Sequence, residues 1–276
     1  MGFLVPAAPW SARIAGVASR AVILLADDGA AISVVGRMED LDARAFVIAD
    51  GFREFLEAAS VAASGQDKHA SVEYDGSTLR IEGMERTSAS SCTALVWDPR
   101  EDLKKAAGRF ARPELASAAC FIENELRLAH EAGRPFEGIH GDGPFAAAFA
   151  RLHEAPAFPA NLVGFGPGST PAGDDWLSGY LAGRDLAEGG PAEPALRSAV
   201  QAAFSRTTAS GRALLTGALA GAPPAYIVEL VVAATEITME SGVRVAVRTA
   251  LGHGATSGED ALAGFLQAMR TSLLSA

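Results

Sequence analysis

Cysteine is nearly absent: Cys92 and Cys120 are the only two in 276 residues. Two thiols without metal-ligand spacing offer no disulfide framework. They point to a reducing cytoplasm, with both side chains read as small core residues. Basic charge is also short. Lys and Arg number 23 against 33 Asp and Glu, a formal net charge of −10 that disfavours non-specific nucleic-acid binding. No run of about 20 apolar residues is free of charges and breakers, so no membrane span is expected. The opening MGFLVPAAPWSAR lacks the basic and apolar regions of a signal peptide, and none is expected. No His-x-x-x-His set argues for zinc, and no Gly-x-Ser-x-Gly elbow precedes a helix.

What is present divides at about residue 100. Before it the chain reads as β-rich. Val22–Ala26 and Ala31–Val35 flank Asp27-Asp28-Gly29, and Ser71–Ile81 turns at Asp75-Gly76; both are hairpin patterns. Ala45–Ala49 and Thr93–Trp97 read as further strands, and Gly51–Ala63 has helical spacing. A small barrel or curved sheet is expected over residues 1–100. From 101 to 276 apolar residues recur at helical spacing. Helices are expected at Glu101–Arg109, Pro113–Ala132, Pro144–Glu154, Ala195–Ser205, Arg212–Ala220, Ala225–Thr235 and Ser241–Leu251, with Asp185–Pro194 as a loop. The fold class is therefore α+β, a β-rich N-terminal region packed on a larger helical domain.

The chain is organised around Gly164–Gly183, GFGPGSTPAGDDWLSGYLAG, an apolar lead-in, a glycine-rich loop and a helix. Thr170 is the expected cap and Pro171 suits the first turn. Asp174 and Asp175 sit where the helix dipole favours negative charge. The loop exposes main-chain amides and suits an anion, yet it is no Walker loop because no Lys follows its last glycine. Gly252–Leu266, GHGATSGEDALAGFL, repeats the pattern with one residue fewer. Gly168 then matches Gly254, Thr170 matches Thr256, Gly173 matches Gly258, Asp175 matches Asp260 and Gly179 matches Gly264. Asp175, Gly179 and Gly183 share one helix face, open to another backbone or a ligand. The two loops are expected to converge, with Asp175 and Asp260 near one site.

Other candidates are weaker. Ser205–Arg212 is a polar cluster that suits a carboxylate or phosphate, or simply starts a helix. Ser19 and Arg20 precede a strand, and Arg244 and Arg248 share a helix face; all four read as surface or loop residues. His253 lies inside the second loop and His153 ends the helix before the first, either able to serve as acid, base or donor. His69, His130 and His140 read as surface residues. Asp174, Asp175, Glu259 and Asp260 offer oxygen ligands for Mg²⁺, against dipole compensation and a capping box from Thr256 to Glu259.

Gly164-Phe165-Gly166-Pro167-Gly168-Ser169-Thr170-Pro171-Ala172-Gly173-Asp174-Asp175 resembles the GLGPGLTPSGDD signature of a bacterial family. That family includes the AllH-type subunit of oxamate carbamoyltransferase, from allantoin breakdown in purine catabolism. Leu152-His153-Glu154, Thr207-Thr208-x-Ser210 and Gly252-His253-Gly-Ala-Thr256-Ser257-Gly258-x-Asp260 fit it too. Val17–Val22 and Val96–Pro99 fit more loosely. Phe165, Ser169 and Ala172 depart from the signature. The resemblance implies a cytoplasmic carbamoyltransferase subunit, working with other enzyme subunits on a small anionic metabolite such as carbamoyl phosphate or oxamate. Gly166, Gly168, Thr170, Gly173, Arg206, Thr208, Ser210, Arg212, Thr256 and Gly258 are then candidates for binding it, and Asp175, His253 and Asp260 for catalysis. Asp174 and Asp175 would hold Mg²⁺ if one is used. The other readings are a non-catalytic metabolite-binding subunit and a Mg²⁺-dependent hydrolase.

Overall fold

The computed structural model describes residues 1–48, 50–64, 70–82, 88–90, 96–108, 112–139, 144–155, 157–236 and 239–274. The chain divides into two compact units, Met1–Asp98 and Pro99–Ala276. All of the described strands lie in the first unit, and the second is helical, so the protein is α+β with a β-rich N-terminal part.

In the first unit the strands are β1 (Trp10–Val17), β2 (Ala21–Ala26), β3 (Ala31–Val35), β4 (Ala45–Val47), β5 (Ser71–Tyr74), β6 (Thr78–Ile81) and β7 (Ser88–Ser90). They form one sheet in the order β4-β3-β2-β1-β5-β6-β7, antiparallel except for the β3–β4 pair. Strand alternation explains the core. Val22 and Leu24 of β2, Ile32 and Val34 of β3, and Val72 of β5 point to one face. Phe55, Ala58 and Ala59 of helix α1 (Phe52–Ser64) belong to the same apolar cluster. Arg20 is no free surface cation: its guanidinium pairs with Asp40 at 2.6 Å.

The second unit contains α2 (Arg100–Ala107), α3 (Arg112–Glu131), α4 (Pro144–His153), α5 (Ala172–Glu188) and α6 (Pro194–Ala202). It continues with α7 (Ala209–Leu219), α8 (Ala225–Ala234), α9 (Met239–Leu251) and α10 (Ser257–Leu274). Helix α5 is its axis, every residue from Ala172 to Gly183 being buried. Its main partner is α10, and the two backbones come together at glycines. A Cβ on Gly179 would overlap the Ala261 carbonyl, and one on Gly264 would overlap the Trp176 carbonyl. A Cβ on Gly183 would meet the Ala268 methyl and the Phe265 carbonyl. The small-residue face of α5 thus receives a backbone. Leu177 and Leu181 belong to an apolar cluster with Leu162, Val163, Trp176 and Leu215.

Several expectations change. The sheet does not end openly at β4, because the Gly2 amide of the N-terminal segment donates to the Ala45 carbonyl at 2.8 Å. β1, which nothing in the sequence picked out, lies in the middle of it. Asp185–Pro194 is not all loop, since α5 runs on to Glu188 and ends at Gly189, whose φ of 75° closes the helix. Asp185 is tied there by the Ala192 amide at 2.8 Å and by the Arg197 guanidinium. Cys120 is exposed on α3 rather than in a core. Arg244 is not simply solvated, because its guanidinium bonds the buried Glu125 at 2.9 Å. Cys92, His69, His140 and most of Thr93–Trp97 lie outside the described residues; Trp97 itself bridges to Gly2.

Glycine inside a helix costs about 0.5–1 kcal/mol against alanine, so these positions hold glycine for the contact. Gly264→Val should lower unfolding stability by about 3 kcal/mol, since neither backbone can yield without separating α5 from α10. Gly108→Ala, at the ordinary φ of −67° after α2 with only carbonyls at 3.5 Å or more, should change it by no more than about 0.5 kcal/mol. Denaturant titration of both variants decides; equal midpoints would disprove the tight crossing.

Candidate functional site

The two loop–helix units share two corresponding backbone hydrogen bonds. Phe165 N–H donates to the Leu162 carbonyl at 2.8 Å, and His253 N–H donates to the Ala250 carbonyl at 2.8 Å. Gly173 N–H closes the first loop on the Phe165 carbonyl at 2.8 Å, and Gly258 N–H closes the second on the His253 carbonyl at 3.1 Å. A Cβ on Gly173 would overlap the Leu162 carbonyl, and one on Gly258 the Ala250 carbonyl. Gly166 packs on Ala172 as Gly254 packs on Ser257. The repeat is therefore real in geometry, but its register differs from the sequence alignment: Gly254 is the counterpart of Gly166, not of Gly168. The extra length of the first copy is concentrated between Gly166 and Ala172. Combined with the glycine crossing, where Gly179 meets Ala261 and Gly264 meets Trp176, the match makes a local two-fold axis between α5 and α10.

Four acids stand at these helix starts, all buried: Asp174 0%, Asp175 2%, Glu259 4% and Asp260 0% exposed. Three of them tether chain segments. Asp174 accepts from the Gly164 amide at 2.8 Å and from the Thr207 hydroxyl. Glu259 accepts from the Gly138 amide at 3.1 Å, and Asp260 from the Ile139 amide at 2.6 Å. The capping-box reading of Thr256–Glu259 fails for this reason, because the Glu259 carboxylate is turned to Gly138. Thr170 is no cap either. Pro171 holds the cap position of α5 without a side-chain bond, and the Thr170 hydroxyl lies 3.3 Å from that of Ser257. Both hydroxyls bond the Asp175 carboxylate, and Thr256 bonds Asp260.

Burial sets the titration of this group. It pushes Asp260 up to about 7, against the pull of the Ile139 amide and Thr256 hydroxyl and with help from Glu259. Burial raises Asp174 to about 6, offset by Thr207, Gly164 and the Arg206 charge. Asp175 is raised well above the ordinary aspartate range by burial, with the Asp260 and Asp174 charges adding to it. Asp175 thus feels the Asp260 charge, and each of the two keeps one oxygen, Oδ2, without a protein hydrogen bond among the described residues. A carboxyl that titrates near neutrality can hold or release a proton at working pH.

The loop itself is differently equipped. Gly166 and Gly168 take φ of 100° and 102°, a region that side chains disfavour, and Pro167, Gly168 and Ser169 are exposed. The amides of Gly166, Gly168, Ser169 and Thr170 donate to no described residue. The Thr208 hydroxyl donates to the Ser169 carbonyl at 2.5 Å and accepts from the Gly211 amide at 2.9 Å, capping α7 and pinning the loop. Ser210 is buried beside it in sequence at 9% exposure. Arg206 and Arg212 are exposed, and the Arg206 guanidinium donates to the Ala160 carbonyl at 2.7 Å. The His253 ring lies 4.4 Å from Tyr226, centroid to centroid. Among the described residues no group of three or more His, Cys, Asp or Glu is placed to hold a metal ion. No described helix is long and apolar enough to cross a membrane.

The segment that carries both copies is also the segment with a known likeness. Residues 162–269 match the model of a family described as oxamate carbamoyltransferase subunit AllH. Over this stretch the chain resembles that family. The match begins at Leu162, the carbonyl under Gly173, and ends within α10, so it takes in both loops, both acid pairs and the glycine crossing. No curated protein and no solved structure matches the chain.

Sequence reasoning found the acids and the loops but not what holds them. Gly138 and Ile139 lie 121 residues from the carboxylates they bond, and no local pattern marks them. Thr207 lay within the polar cluster already singled out, though not as the partner of Asp174.

An aspartate titrates near 3.8 when unperturbed and Asp260 at about 7 in the fold. Between these values the folded chain keeps a proton that the unfolded chain has released. This contribution to stability is complete below about pH 4 and is lost as pH rises through about 7. Asp174 and Asp175 act with the same sign. Asp260→Asn should therefore gain stability relative to wild type on going from about pH 5 to about pH 8. Thermal unfolding of both proteins at both pH values measures it; a difference, variant minus wild type, that is constant or falls at the higher pH would refute the assignment.

Proposed function

We propose that the protein is a subunit of a carbamoyltransferase-type enzyme that holds a small anion, such as carbamoyl phosphate or oxamate, at the loop Gly166–Gly173. The observation that carries this reading is the set of uncommitted amides at Gly166, Gly168, Ser169 and Thr170, opening at the start of α5 inside the segment that matches the AllH family. Main-chain amides at a helix start favour phosphate and carboxylate oxygens. Thr208 would steady the loop, and Arg206 and Arg212 would add positive charge near it. In the reaction the amide nitrogen of oxamate attacks the carbamoyl carbon, the carbon–oxygen bond to phosphate breaks, phosphate leaves and the nitrogen loses one proton. No covalent enzyme intermediate is needed, so holding and orienting the two substrates carries the rate. The raised titration of Asp175 and Asp260 suits them to receive that proton. The word subunit in the family's description implies partner subunits, and the proposed compartment is the cytoplasm.

A second reading, that the chain binds the metabolite and a partner subunit does the chemistry, is favoured by the burial of both acids at 2% and 0% exposure. Asp175→Asn separates the two. Under the first reading it lowers turnover of the reconstituted enzyme about tenfold or more and leaves anion affinity intact. Under the second it leaves both unchanged.

Gly168→Val tests the loop for either reading. A valine at φ 102° is strained and must rearrange the loop. Titration calorimetry with inorganic phosphate should show binding to wild type and a loss of about tenfold or more in the variant, roughly 1.4 kcal/mol. Because the loop is exposed, the thermal midpoint should fall only slightly. Wild-type affinity in a folded variant would remove the loop from the site.

A further inference from the structure

The buried acids at the starts of α5 and α10 fall into two kinds. Asp174 accepts from the Gly164 amide on one oxygen and from the Thr207 hydroxyl on the other, and the Arg206 charge acts on it. Glu259 accepts from the Gly138 amide, and the Arg134 charge acts on it. Asp175 and Asp260 differ on both counts. Oδ2 of each is sealed from water and has no hydrogen-bond partner among the described residues. The charges that act on Asp175 are those of Asp260 and Asp174, and the charge that acts on Asp260 is that of Glu259; no basic side chain is among them. A buried carboxylate is ordinarily paired or bound to a metal, because leaving it alone is costly.

Since neither oxygen is open to water, what compensates them is smaller than water, a proton or a bare cation. One proton held by the pair leaves a buried negative charge without a partner. Two protons cancel the charge but put O–H donors where neither second oxygen has a partner beside it. A divalent cation cancels both charges and takes both oxygens. The surroundings suit a hard one. The Thr170 and Ser257 hydroxyls bond Asp175 and lie 3.3 Å apart, and the Thr256 hydroxyl bonds Asp260. A hydroxyl that donates still has lone pairs to give. Two carboxylates and three hydroxyls make an all-oxygen set. Mg²⁺ takes oxygen ligands and is commonly held by only one or two carboxylates, whereas Ca²⁺ asks for about six to eight oxygens.

We propose that the second oxygens of Asp175 and Asp260 bind one divalent cation of the Mg²⁺ type, with the Thr170, Ser257 and Thr256 hydroxyls around it. Asp175 belongs to the first copy of the repeat and Asp260 to the second, so the cation joins the two loop–helix units. Asp174, which the sequence also offers as a ligand, is left out because both its oxygens are taken. The inference stands apart from the anion loop. Proton and cation compete for the same oxygens, so the cation-free form is the one that can receive a proton.

The test uses Mg²⁺ as probe on the full chain, freed of metal by a chelator. Titration calorimetry should show saturable Mg²⁺ binding to wild type. Asp175→Asn and Asp260→Asn, which keep the shape and remove one charge each, should each weaken it about tenfold or more. Asp174→Asn, in the same cluster, should bind Mg²⁺ as wild type does. Saturating Mg²⁺ should raise the thermal midpoint of wild type and of Asp174→Asn, and leave the other two where they were. If either of those two does not fold, Ser257→Ala carries the test, with an expected loss of about threefold or more. Phosphate titrated without Mg²⁺ reads the loop alone, so failure of the loop reading and failure of this one are separately visible. The proposal is overturned if wild type does not bind Mg²⁺, if the folded variants at Asp175, Asp260 and Ser257 bind it as wild type does, which is the mark of counterions on an acidic chain, or if Asp174→Asn loses as much as Asp175→Asn.

Discussion

The contact on which the helical unit depends is carbonyl oxygen against glycine, made twice between α5 and α10. It brings two buried helices closer than any side chain would allow. Each glycine weakens its own helix by up to about 1 kcal/mol, and the packing of buried helix against buried helix offsets it. The crossing also fixes the separation of the helix starts. Asp175 lies one turn before Gly179 and Asp260 one turn before Gly264, so wherever the glycines meet, the carboxyls are carried to the same place.

Those carboxyls then work outward from the crossing. Asp174 holds Gly164, while Glu259 and Asp260 hold Gly138 and Ile139. Loops that no strand or helix would order are thereby tied to the most buried part of the unit. Buried acids close together are costly to charge, so their titration is raised and the donors around them offset part of that cost. The same circumstance that lets the acids serve as tethers brings them near a titration suited to proton transfer.

The α+β character was legible because both hairpin turns and the helical spacing are local signals. Asp27–Gly29 and Asp75-Gly76 turn where expected, and α1 falls within a residue of its expected bounds. β1 was not legible, since Trp10–Val17 mixes Arg, Ala and Gly and gains its place only by pairing with β2 and β5. The end of α5 was misplaced because Glu188-Gly189-Gly190 reads as a break, whereas Asp185 and Leu186 are held in the helix by partners further along. The repeat was visible from its matching acids and glycines, but aligning identical letters put the gap in the wrong place. Backbone hydrogen bonds, not residue identities, define the register, and they are invisible until the chain is folded.

The unequal length of the two loops has a consequence for chemistry. Perfectly equivalent halves about a two-fold axis would give Asp175 and Asp260 the same surroundings and no preference for which carries a shared proton. The three residues that separate the copies, seven between Phe165 and Gly173 against four between His253 and Gly258, remove that degeneracy. Asp175 faces the Thr170 and Ser257 hydroxyls, whereas Asp260 faces the Ile139 amide and the Thr256 hydroxyl. A frame of two unequal arms thus gives its two central acids unequal surroundings and unequal hold on a proton.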